Sequence, residues 1–187
     1  MKKIIFDSGT EFTIQKPSVK DFIKLFDLCS HGNSSSMLLD EILKHITYPS
    51  KEDARKFLSK YIFSVYGTFF SAIKNMCGQE IVDSTDTVVE ETEDNKIKIF
   101  IDGKAFYFRR LNFVETDLAV KDLRDNKGVV SADVCLKLAM MTVSNAKDTD
   151  YKALLNDLFA EYPIAVVFVG RSILDKCSMD AEIKQGE

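Results

Sequence analysis

The sequence predicts an α+β fold, predominantly helical: a tandem duplication of a β-hairpin plus three-helix unit, with the two units arranged about a pseudo-twofold. Three observations predict it. The stretches "FDSGTEFTIQKPSVKDF" (6–22) and "FIDGKAFYFRRLNFVETDL" (100–118) share one layout of apolar strand, turn glycine, apolar strand and helix start. Helix starts recur at matching places further along each half. Each half then ends in a long apolar row spaced by four.

In the first unit, Ile4 to Phe6 and Phe12 to Ile14 flank Ser8-Gly9; in the second, Ile97 to Ile101 and Ala105 to Phe108 flank Asp102-Gly103. Ser or Asp before Gly supplies the positive φ of a tight hairpin turn. Ser18-Val-Lys-Asp21 and Asn112-Phe-Val-Glu115 follow at the same offset from the turn glycine. Each places a capping oxygen three residues before an acid, the signature of a helix N-terminus. First helices are expected to run to about Leu28 and Arg124, and second helices to begin after Ser36 and Ser131.

Third helices are expected after Ser50 and near Asp148. Phe57, Leu58, Tyr61, Ile62, Val65, Tyr66, Phe69, Phe70, Ile73 and Met76 fall on one helical face. Leu154, Leu155, Leu158, Phe159, Tyr162, Ala165, Val166, Val169, Ile173 and Leu174 keep the same phase. Taken alone, "IAVVFVG" also suits a buried strand at 164–169. Its counterpart "FSVYGTF" lies within the first long row, which favours helix. Pro163 then demands a kink, or a restart with the proline in the first turn.

These elements divide the chain into a first repeat at 1–78, an acidic linker at 79–95, a second repeat at 96–178 and a polar tail at 179–187, with one core shared across the long helices. The linker carries several acids and no Lys or Arg, and Val88 and Val89 suit an edge strand within it.

With 187 residues, 45% hydrophobic, the chain buries a core without a metal or a disulfide. Cys29, Cys77, Cys135 and Cys177 lie far apart with no Cys-x-x-Cys pair, so free thiols in a reducing cytoplasm are expected. The apolar run at the start stops at Phe6, too early for a signal peptide, and "YPIAVVFVG" is too short to cross a bilayer. A net charge of −4 speaks against nucleic acid; the nearest basic cluster, Lys104, Arg109 and Arg110, is flanked by acids.

No reactive constellation points to an enzyme, and no catalytic residue, cofactor or metal is assigned. Cys29, Ser30 and His31 are sequence neighbours in a polar loop, whereas working dyads are assembled from distant positions. His45 closes a helix, where a cation suits the dipole. The linker acids lack the glycine and closing glutamate of a calcium loop, and no phosphate-binding glycine motif occurs. The residues assigned to partner binding are Tyr61, Phe63, Tyr66, Phe69 and Phe70, whose rings widen the apolar face beyond a two-row core, together with Arg109 and Arg110.

Three stretches carry a family resemblance: "EFTIQKPSVKDFIKL", "FIDGKAFYFRRLNFVETDL" and "EYPIAVVFVGRSILDKCSMDAE". Their layout is similar to tail-assembly chaperones and baseplate-hub assembly proteins of contractile-tailed bacteriophages. Some relatives carry clustered cysteines that suggest a zinc knuckle; Cys77 stands alone in "NMCGQE", so no metal is carried over. The resemblance implies a non-enzymatic interaction factor that binds other tail or baseplate proteins through apolar helix faces and hairpin edges, with self-association also open. It implies a location in the cytoplasm of an infected bacterium or in the virion. The alternatives are a resident baseplate subunit, a small phage protein that binds a host factor, and a small enzyme using the His31 loop.

Overall fold

Each half of the chain folds around its own three-stranded antiparallel sheet, with helices against one face. The structure, a computed structural model, describes residues 1–6, 8–30, 35–144 and 150–178, and at 35 and 61–66 it describes the backbone only. In the first half, β1 (Lys2–Ile5) and β2 (Glu11–Ile14) form the expected hairpin, followed by α1 (Val19–Ser30) and α2 (Ser35–His45). Directly after α2, β3 (Ile46–Tyr48) pairs with the free edge of β2, and α3 (Lys51–Met76) follows, capped by Ser50 through the Asp53 N–H. The linker contributes α4 (Gln79–Val82) and β4 (Val88–Glu91).

The second half opens on β5 (Ile97–Ile101) and β6 (Lys104–Phe108), with β4 on the outer side of β5. Asp102 and Gly103 both have positive φ, 51° and 70°, as a type I′ hairpin turn requires. Then come α5 (Phe113–Asp125), α6 (Ala132–Thr142), α7 (Tyr151–Glu161) and α8 (Ala165–Ser178). The apolar row expected as one third helix is therefore two. Tyr162, kept out of the helical conformation by the proline that follows it, caps α7, and Pro163 and Ile164 form the turn. Residues 165–169 are helical, which excludes the strand reading.

The halves share local detail. Gln15 N–H donates to His45 C=O at 2.8 Å where the chain leaves α2, and Arg109 N–H donates to Thr142 C=O at 2.9 Å where it leaves α6. Ile14 pairs with Ile46, and Phe108 makes a single bridge with Val143. Their mutual arrangement differs from the expectation. α1 packs on α6, but a pseudo-twofold would also seat α5 on α2, and those helices make no comparable packing. α3 and α8 meet through Phe69, Ile73 and Val167, which share one apolar cluster, rather than along their lengths. Instead, Asp27 of α1 accepts the Ala132 N–H at 2.6 Å, satisfying an orphan donor at the start of α6. Arg171 of α8 lies over the Phe26 ring at 5.5 Å.

Two apolar clusters result, joined along this seam. The first centres on Phe12, Phe22, Phe69 and Ile73 and takes in Ala132, Ile164 and Val167 from the second half. The second centres on Ile97, Phe106, Leu138 and Val169, with Val19 and Ile23 of α1 at its border. Glycine permits two close approaches. A Cβ on Gly78, at φ +94°, would lie 2.6 Å from the Tyr162 ring, and one on Gly170 would lie 2.4 Å from the Cys135 Cβ. The second contact lets α6 and α8 pack backbone to backbone.

Candidate interaction site

The residues expected to bind a partner take other roles where they are described. Phe69 is fully buried, its ring centroid 5.2 Å from that of Phe12. Phe70 is half-buried, packed against Phe26 with the Lys74 ammonium 5.8 Å from its centroid. The row thus turns toward the first cluster, because α3 supplies the wall that the β1–β2 hairpin needs. The side chains of Tyr61, Phe63 and Tyr66, and His31, lie outside the described residues.

Arg109 and Arg110 fasten α5 to the sheet. The Arg109 guanidinium grips Glu115 in a fork, Nη1 at 2.7 Å and Nη2 at 2.5 Å, and also donates to Met141 C=O. Glu115 is 1% exposed and completes a capping box by accepting the Asn112 N–H. The hydrogen bonds from Arg109 hold its carboxyl below the usual range against the cost of burial. Arg110 donates to Asn95, to Glu91 at 3.1 Å and to Lys176 C=O, tying β4 and the end of α8 to the start of α5. The two ends of the Arg109–Glu115 pair are unequally exposed, so their removal is unequal. Arg109→Met strands a buried carboxylate and is expected to cost more, roughly 3 kcal/mol, than Glu115→Gln, which leaves a half-exposed guanidinium that water can solvate. Urea denaturation of both variants checks the order.

What this fastening presents is a groove between α5, the loop after it and α8. It has a cavity volume of about 540 Å³ and is lined by Leu111, Thr116, Ala119, Val120, Leu123, Val129, Val130, Leu174 and Cys177, with Arg171 and Asp175 at the rim. Phe113 is 86% exposed and Val120 54% exposed. Seven residues apart, they share a stripe with Thr116, so the apolar lining continues out along α5. Val114 is exposed beside them. The sequence carried this signal: "FVETDLAVKDL" holds a second apolar phase besides the one that turns Ala119 inward.

Burial shifts three of the four thiols. Burial pushes the Cys29 thiol up to about 11 and the Cys77 and Cys135 thiols to about 12, so they stay protonated and weakly nucleophilic. Among the described residues no group of three His, Cys, Asp or Glu is placed to hold a metal ion. Within the 79–95 segment Glu90 pairs with Lys98 at 2.5 Å and Glu91 with Arg110.

His45 closes α2 as expected, yet it is buried rather than a solvated cation. Neither ring nitrogen has a hydrogen-bond partner. Burial lowers its pKa, with Lys44 adding to this and Asp21 and Glu41 opposing. Glu41, also buried, binds Lys24 at 2.5 Å and Lys44 at 2.9 Å. A histidine held neutral in the folded state binds fewer protons there than when unfolded. Its stability contribution is therefore complete above the unfolded pKa near 6.5 and declines as pH falls below that value toward the folded pKa. Denaturation midpoints are expected to fall between pH 6.5 and 5, and His45→Leu is expected to flatten that segment of the profile.

Among the described residues no helix is long and apolar enough to cross a membrane. In comparisons with known proteins, no family model, curated protein or solved structure matches this chain.

Proposed function

We propose that this chain is a non-enzymatic protein-interaction factor that works in bacteriophage tail or baseplate assembly and docks an apolar helical segment of another tail protein. The observation that carries the interaction reading is the α5–α8 groove, continuous with the exposed Phe113 and Val120. Large exposed apolar side chains beside a groove mark binding surfaces, and an amphipathic helix laid into such a groove is a common recognition mode. Arg171 and Asp175 at the rim supply polar contacts that orient the incoming segment. Sequence layout, through the three stretches quoted above, supplies the tail-assembly context.

Capture through a C-terminal tag from infected cells during expression, followed by mass spectrometry, tests this. Recovery of tail or baseplate subunits is expected, and assay of finished particles then separates a transient helper from a resident subunit. Recovery of host proteins alone overturns the tail-assembly reading in favour of a host-directed adaptor.

A further inference from the structure

Among the described residues, two unguarded edge strands make no bridge on their outer side, and they are complementary. In the first sheet β3 is a short edge, with a register shift opposite it between Thr13 and Ile14 and Pro49 just beyond its end, a guarded arrangement. In the second, the end of β6 is engaged by the Val143 bridge at Phe108 and by Ser144, whose N–H donates to Tyr107 C=O. That leaves β1, "KKII", and β4, "VVEE". One edge is basic, and the other is acidic within a stretch that has no Lys or Arg. Each also exposes an apolar side chain, Ile5 at 65% and Val88 at 43%.

The hydrogen-bond phase of the two edges is set by their hairpins. Phe6 N–H donates to Thr10 C=O, so Phe6, Ile4 and Lys2 address β2, and the backbone groups of Lys3 and Ile5 point outward. Thr92 N–H donates to Lys96 C=O, so Thr92, Glu90 and Val88 address β5, and those of Val89 and Glu91 point outward. An antiparallel ladder between the edges must oppose outward-pointing residues. One such register sets Lys3 opposite Glu91 and Ile5 opposite Val89, with Phe6 against Val88. Lys3, paired with Glu11 in its own sheet, meets Glu91, paired with Arg110 in its own. Two ion pairs thus join in one row of alternating charge while apolar meets apolar, pairings that stabilise neighbouring strands. Pairing like edges would instead gather both copies' lysines, or both copies' glutamates, along one seam.

We infer that β1 of one copy pairs antiparallel with β4 of a second copy, joining the sheets into one in the order β3-β2-β1-β4-β5-β6. This goes beyond the assembly reading and holds whichever partner fills the groove. The contact is heterologous, because each copy offers a donor edge and an acceptor edge. It therefore propagates into an open chain or closes as a ring. Four residues per edge make the single contact weak, so association is driven by concentration and loosened by salt.

Sedimentation velocity over a concentration series tests this, with two edge-blocked variants. Lys3→Pro and Val89→Pro each remove an outward N–H, which edge strands tolerate, and with it the Lys3–Glu11 ion pair in the one case and the packing of Val89 on the second cluster in the other. Wild type is expected to show a mass that rises with concentration at low salt. Each variant alone is expected to stay monomeric, and their equimolar mixture to stop at a dimer, since one good edge of each kind remains. Should Lys3→Pro fail to fold by circular dichroism, Lys3→Glu, which opposes Glu91 with a like charge, takes its place; should Val89→Pro fail, Glu91→Lys, which opposes Lys3 with a like charge, does so. A wild type monomeric at every concentration, or variants that associate as wild type does, would overturn the inference.

Discussion

Phe12→Ala is expected to lower the unfolding free energy by about 3–5 kcal/mol, the usual range for deleting a buried aromatic ring. Phe12 sits on the central strand of the first sheet with no exposed surface. Its ring centroid lies 5.7 Å from that of Phe6, 5.3 Å from Phe57 and 5.2 Å from Phe69. Those neighbours come from the hairpin turn, the N-terminal half of α3 and its C-terminal half, so no single side-chain rotation closes the void. For a chain with the marginal stability usual of domains, this is a large fraction of the total. Urea unfolding followed by circular dichroism reads it as a drop in midpoint. Phe113→Ala serves as the comparison: its exposed ring is expected to contribute within about 0.5 kcal/mol. Equal losses in the two variants would contradict the placement of either ring.

Gly170→Ala is expected to cost about 3 kcal/mol, the upper end for overpacking. The added methyl would meet the Cys135 Cβ at 2.4 Å, its Cα at 2.5 Å and its carbonyl oxygen at 2.9 Å. Two of these are backbone atoms, so relief requires α6 and α8 to separate along their whole contact. Gly67 in α3 provides the opposite case, with open space where a Cβ would go. Gly67→Ala is expected to raise stability by up to about 1 kcal/mol through helix propensity alone. Thermal melts of the two variants should therefore move in opposite directions.

The hairpins and helix starts were legible because each rests on chemistry confined to a few residues. Asp102-Gly103 announces its turn, and Asn112 with Glu115 announces its capping box. Ser50 and Ser131 cap the helices that they were expected to begin. The break at Pro163 was legible as a kink or a restart. The restart occurs, and Tyr162 at the break packs against Gly78, a contact between residues remote in sequence.

The arrangement of the halves was not legible, since a matched pair of units suggests a twofold regardless of which faces meet. Asp27 reaching the start of α6 and Arg171 covering Phe26 decide it, and neither residue stands out in its own segment. The candidate site shifted for a related reason. An aromatic row on a long helix has the same pattern whether it faces a partner or its own hairpin, and Phe69 faces the hairpin. Arg109 and Arg110 read as a basic patch in sequence, yet their partners Glu115 and Glu91 lie within the fold. Phe113 and Val120 escaped notice because neither joins the long apolar rows.

Capture by the Phe113→Asp, Val120→Asp double variant tests the central claim that this is an interaction factor working through the α5–α8 groove. Both side chains are exposed, so the variant is expected to unfold at the wild-type urea concentration while losing the proteins that wild type captures. Undiminished capture by a folded double variant would contradict the claim.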